Sequence, residues 1–206
     1  MQGFVRRYRD SIQCNTITSI KKTVEENLYF DGIAVDKFFF FGVEFDENKE
    51  VVLGCGNCDL LHQNKKNGIK CSTSSHLNLM MTSIELMNSV ENEGVFHIEG
   101  THGIVRNKYP IDIFGVSDQH GTLHPIAFMI TSFETVYDFS LFYSSLIALT
   151  KILKLDLDPE FIMQDACDAS YNAAKKYFPN AIILMCFFHV QQNVNINMLL
   201  FFKYKL

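Results

Sequence analysis

Val95-Phe96-His97-Ile98-Glu99-Gly100-Thr101 is a short apolar run that ends on a carboxylate, and Phe161-Ile162-Met163-Gln164-Asp165 repeats the pattern further along the chain. Side by side as strands, the two runs bring two anionic side chains together at one end of a sheet. That is the donor arrangement a divalent ion needs for phosphoryl chemistry.

The residues between the two runs specify how they are connected. Extended runs at Val95 to Thr101, Tyr109 to Val116 and Thr122 to Thr131 are separated by Asn107-Lys108 and by Asp118-Gln119-His120-Gly121, both turn-forming. Such short connections make an antiparallel meander. Thr135 with Asp138 three residues on reads as a capping box, and Val136, Phe139, Tyr143, Leu146, Ile147, Thr150 and Leu153 trace a helical stripe of about five turns. A strand at Phe161 to Gln164 follows. A helix capped by Asp168 and stopped before Pro179, then a strand from Ala181 to Phe187, complete a strand-helix-strand unit. This alternation predicts parallel pairing through a right-handed crossover. A three-strand meander followed by β-α-β is the order of a ribonuclease-H-like α/β mixed sheet, in which the first and fourth strands are neighbours. Glu99 and Asp165 are then expected to sit together, at the carboxyl ends of strands where open sheets collect ligands.

Upstream, residues 1 to 34 form a polar lead with one amphipathic segment, Ile17, Ile20, Val24 and Leu28. Lys37 to Phe45 and Val51-Val52-Leu53 flank the turn-like Asp46-Glu47-Asn48-Lys49 and read as a β-hairpin, with Phe38 to Phe41 a buried strand. Residues 54 to 76 are rich in Gly, Asn, Ser, Lys and Cys and read as a loop. Leu79, Ile84, Met87 and Val90 predict a helix from Leu77 to Val90. The chain thus divides into an N-terminal extension (1–76) with the hairpin and the cysteine-rich loop, a core (77–193) and a tail (194–206).

Composition narrows the function classes. With 206 residues, 48% of them hydrophobic, the chain can bury a substantial core and reads as one domain with additions. A formal charge of −5 gives no global attraction to DNA or RNA, so nucleic-acid contact has to rest on a local patch. No secretory pattern opens the sequence, and its apolar stretches read as too short to span a bilayer. Six cysteines in that setting are expected as reduced thiols of an intracellular protein, with metal binding the alternative. For the latter, Cys55, Cys58, Cys71 and His76 have the ligand types and approximate spacing of a tetrahedral zinc site. The stretch between them lacks the apolar pattern of a zinc-finger helix.

A closer resemblance rests on a series of short segments: Phe96-His97-Ile98-Glu99-Gly100-Thr101; Tyr109-Pro110-Ile111 to Gly115-Val116; His124-Pro125-Ile126-Ala127; Ser132-Phe133-Glu134-Thr135; Ile162-Met163-Gln164-Asp165; Phe178-Pro179-Asn180-Ala181; and Cys186-Phe187-Phe188-His189-Val190. Their order and spacing resemble the core of Mutator-like element (MULE) transposases. The resemblance implies acidic residues holding two Mg²⁺ or Mn²⁺ ions that activate water or a DNA 3′-hydroxyl for attack on a phosphodiester. It places Glu99 where the family has its first aspartate and Asp165 at the second. Cys186 and His189 match a family motif between the second and third acids, with a structural or DNA-related role. It also implies transposon DNA ends as partner and a nuclear location. No third acid is found before Leu206, and Glu99 is one methylene longer than aspartate, so the reading predicts a C-terminally truncated or inactive copy. The second reading is a domesticated or remnant module that binds DNA or a protein without cutting.

Each site residue also has a plainer role. Glu99 can pair with Arg106 or Lys108, Asp165 can cap a helix, and Cys186 and His189 can be a buried thiol and a core histidine. His97 and His102 flank the first acid as packing or surface residues. Asp112 is expected as a strand residue and Asp118 as a turn residue.

Overall fold

The computed structural model of the protein describes residues 17–53, 77–91, 94–104, 109–187, 189 and 191. The Cys55, Cys58, Cys71 and His76 group lies outside these residues, as do Arg106, Lys108 and the tail.

Helix α1 (Ile17–Glu26) leads into three short strands, β1 (Phe39–Phe41), β2 (Glu44–Phe45) and β3 (Val51–Val52). Then come β4 (Asn78–Thr82), a one-turn helix α2 (Ile84–Met87) continued by a 3₁₀ turn (Asn88–Glu91), and the meander β5 (Val95–Thr101), β6 (Ile111–Ser117) and β7 (Leu123–Thr131). Helix α3 (Val136–Leu153), β8 (Phe161–Gln164), α4 (Asp168–Tyr177) and β9 (Ile182–Met185) follow. Seven strands form one mixed sheet in the order β1-β4-β7-β6-β5-β8-β9, while β2 and β3 pair separately. The meander and β1, β4 are antiparallel; β5 with β8 and β8 with β9 are parallel.

Alternation decides which side chains enter the core. Phe96 and Ile98 on β5, and Phe114 and Val116 on β6, point to one face, where they meet α3 through Phe139, Phe142, Tyr143 and Leu146, all buried. Phe114 stands edge-on to both Phe142 (6.2 Å between ring centroids) and Tyr143 (6.0 Å), and Tyr143 is edge-on to Phe178 (5.3 Å). Helix α3 starts on the expected capping box, with the Thr135 N–H and hydroxyl donating to Asp138 Oδ2 and the Asp138 N–H donating back to Thr135 Oγ1. Lys154 in the left-handed conformation closes it.

Four expectations are corrected. Leu77 to Val90 is not one helix, because Asn78–Thr82 is extended and fills the gap between β1 and β7, and Ser83 begins the helical turn only afterwards. The expected hairpin is divided, since β1 joins the main sheet and only β2 and β3 form the hairpin. Asp168 is the first residue of α4 rather than its cap; Cys167 holds the cap position and makes no side-chain capping bond. Finally, α3 is long and apolar enough to cross a membrane by length and composition, contrary to the expectation; Phe139, Phe142, Tyr143, Leu146 and Leu149 on it are buried within the fold, while Val136 and Ile152 are exposed.

Candidate metal centre at the strand ends

The parallel pairs set up a row across three strands. Ile98 is in register with Gln164, and Gln164 with Met185. One residue further on stand Glu99, inside the last half of β5, and Asp165 and Cys186, each just past the end of its strand. The Cys186 N–H donates to the Gln164 carbonyl (2.7 Å), which holds the exit of β9 beside the exit of β8. On the core side, the Ser170 hydroxyl of α4 donates to Gln164 Oε1 (2.9 Å), fixing the residue just before Asp165. Glu99 and Asp165 therefore occupy neighbouring positions on adjacent parallel strands.

Their side chains serve different neighbourhoods. A Cβ added to Gly100 would lie 3.1 Å from Glu134 Oε1 and 3.2 Å from Asp112 Oδ1, so this position faces a pocket of carboxylates. Alternation along β5 turns Glu99 to the opposite face, with His97. There Glu99 meets Cys186 and His189, whose ligating atoms all lie within 4.8 Å of one another and of the Glu99 carboxylate. All three are half-buried, and Cys186 is a free thiol. His97 donates to or accepts from the Ser117 hydroxyl (2.7 Å); burial lowers its proton affinity, and the nearby Glu99 charge opposes that shift.

Asp165 belongs electrostatically to the Gly100 side. Its charge raises the pKa values of Asp112, Glu134 and the Cys167 thiol, in each case adding to a larger effect of burial. Asp112, the register partner of Gly100 on β6, is only 2% exposed, and its Oδ2 makes no hydrogen bond among the described residues. Burial foremost, then Glu134, Asp165 and Asp138, push its carboxyl up to about 7. Glu134, held just after β7, is also raised, mainly by burial, with His102 pulling the other way. Asp138 is committed to α3 and to Asn78, whose Nδ2 donates to it (2.9 Å).

Two of these acids carry more of the site than the sequence reading gave them. Asp112 reads as an ordinary strand residue because Ile111 and Ile113 are apolar as well, so both faces of β6 look alike. The available signal was its parity with Phe114 and Val116, both fully buried. Glu134 lies within the matched segments but has no role until the fold sets it over Gly100. Asp118 is the turn residue expected: its Oδ1 accepts the N–H groups of His120 and Thr122 (both 2.9 Å), and its Oδ2 lies 3.1 Å from His124 Nε2.

In an open α/β sheet the carboxyl ends of the parallel strands are where ligands collect. Residues 95–193 match the family model of the MULE transposase domain, and the chain carries a domain of that family over this stretch. That match supports a transposase-related role and implies interaction with DNA in general. A comparison with curated proteins finds no match.

Proposed function

We propose that residues 95–193 form a ribonuclease-H-like core of the MULE transposase type that cleaves and joins DNA with a divalent metal ion. The observation carrying this reading is the row across the parallel strands β5 and β8, in which the backbone positions of Glu99 and Asp165 are neighbours within a matched transposase domain. A meander whose first strand pairs in parallel with β8 supports the ribonuclease-H-like fold.

On the Gly100 side, Asp112 and Glu134 flank a gap and Asp165 lies within electrostatic reach of both, and carboxylate oxygens are the donors a hard divalent ion takes. Asp112, Glu134 and Asp165 offer only oxygen donors, one oxygen of Asp112 is buried and unpartnered among the described residues, and the missing side chain of Gly100 leaves a cradle between two carboxylates. Mg²⁺ or Mn²⁺, when bound, supplies Lewis-acid activation of a water or a 3′-hydroxyl. The chain's own groups do the rest. Asp165 and Glu134 provide negative charge at the mouth, Asp112 supplies a proton-binding carboxyl from below, and Glu99 is the acid of the neighbouring strand end. With a net charge of −5, DNA contact depends on local groups and on the metal.

The test is Mn²⁺- or Mg²⁺-dependent nicking and strand transfer by the full chain on DNA carrying transposon ends. Asp165→Ala is expected to lower the rate by at least about a hundredfold, the loss that a ~1 Å misplacement of reacting groups already produces. Undiminished activity in that variant would refute the assignment. A second reading, a non-catalytic module that binds DNA or a protein, is favoured by one observation: Glu99 turns toward Cys186 and His189 instead of toward the carboxylates around Asp165. DNA retained in a mobility-shift assay but uncut in Mn²⁺ would select it. Nuclear location is part of the proposal on family grounds, and a fluorescent fusion excluded from nuclei would remove it.

A further inference from the structure

We propose that Glu99, Cys186 and His189 form a second metal site, for a borderline transition ion of the zinc class, distinct from the all-oxygen pocket around Asp165. The donor set is the first argument. One carboxylate, one thiolate and one imidazole within 4.8 Å of one another match the ligands that zinc takes, whereas Mg²⁺ takes oxygen alone. Charge is the second. A carboxylate and a thiolate, formed by release of the thiol proton, together neutralise a divalent cation, while a neutral imidazole adds no charge.

Position is the third argument. Cys186 and His189 are three residues apart, the spacing that places two side chains on one side of a helical turn, and Phe187 and His189 have helical backbone. Glu99 stands two strands away from Cys186 in the same row, a gap of roughly 10 Å at ordinary strand spacing. The longer glutamate reaches across the row, which gives a physical reason for glutamate at this position. Three protein ligands leave one tetrahedral position for water or a fourth side chain. Ion binding would clamp the exit of β9 onto β5 and engage Glu99 on the His97 face of β5.

The experiment uses the full chain, reduced with a phosphine, and Co²⁺ as the spectroscopic probe, with Zn²⁺ as competitor. The wild-type protein is expected to show thiolate-to-cobalt charge transfer in the near ultraviolet, removed by Zn²⁺ and untouched by excess Mg²⁺. Cys186→Ser removes the band. Glu99→Gln and His189→Gln keep the thiolate and weaken Co²⁺ binding by at least the roughly 10–100-fold that losing an outer-shell partner costs. Combined substitution of Cys55, Cys58 and Cys71 by serine leaves the band in place. Zn²⁺ raises the melting temperature of wild type more than that of Glu99→Gln. A band that survives in Cys186→Ser, a band lost with the three loop cysteines, or Glu99→Gln binding as tightly as wild type would each overturn the site.

Discussion

At the scale of single residues, Asp112 couples the pocket to pH. Its folded-state pKa of about 7 lies above the ordinary value of 3.8. Below pH ~4 both folded and unfolded chains hold this proton; between there and pH 7 the unfolded chain releases it first, so stability falls as pH rises. Above pH 7 the penalty is complete. Asp112→Asn is therefore expected to be more stable than wild type at pH 8 by on the order of 4 kcal/mol, at about 1.4 kcal/mol for each tenfold difference in proton affinity, and to differ little at pH 4. Urea unfolding of both proteins at the two pH values checks this. A variant no more stable than wild type at pH 8 would show that Asp112 ionises without cost. Asp165 was legible as a strand-end acid because it closes an apolar run, whereas Glu99, read the same way, lies inside β5, which runs on to Thr101. The partners of each were not legible, since they depend on which face a residue takes in a row of parallel strands.

At the scale of elements, the sheet gathers its stability from contacts that local sequence announces unevenly. Phe114 lies fully buried between Phe96, Phe142 and Tyr143, and Phe114→Ala is expected to cost about 3–5 kcal/mol, measurable by denaturant unfolding. A loss under about 1 kcal/mol would mean that the ring packing contributes little. From β5 to β9 the elements were readable, because the meander has turn residues at each reversal and α3 carries both a cap and a stripe. In β4 the reading failed for a specific reason. Leu79, Ile84, Met87 and Val90 satisfy a helical period by themselves, while the force that extends Asn78–Thr82 is pairing with β1 and β7, elements some 40 residues before and after it. Strand β1 was recognisable from its phenylalanines, yet nothing near it named its partner.

For the whole molecule, the edges of the sheet matter most. Among the described residues, strand β9 pairs only with β8, and Ile182 and Met185 on it are more than half exposed, beside a 76% exposed Phe187. An unpaired edge with apolar side chains invites association with another chain. Ile182→Lys is expected to reduce concentration-dependent association in sedimentation velocity, with a stability change within about 0.5 kcal/mol, as for other exposed positions. Unchanged association would point to some other surface.

The row of strand ends also fixes how the chain can be divided. Its members are contributed by β5, the exit of β8 and the exit of β9, with α3 and α4 as the connections between them. A cut anywhere between residues 99 and 189, whether by a protease, a recombination joint or an exon boundary, separates donors that the fold brings together. Both proposed metal environments thus draw their donors from one continuous stretch of chain.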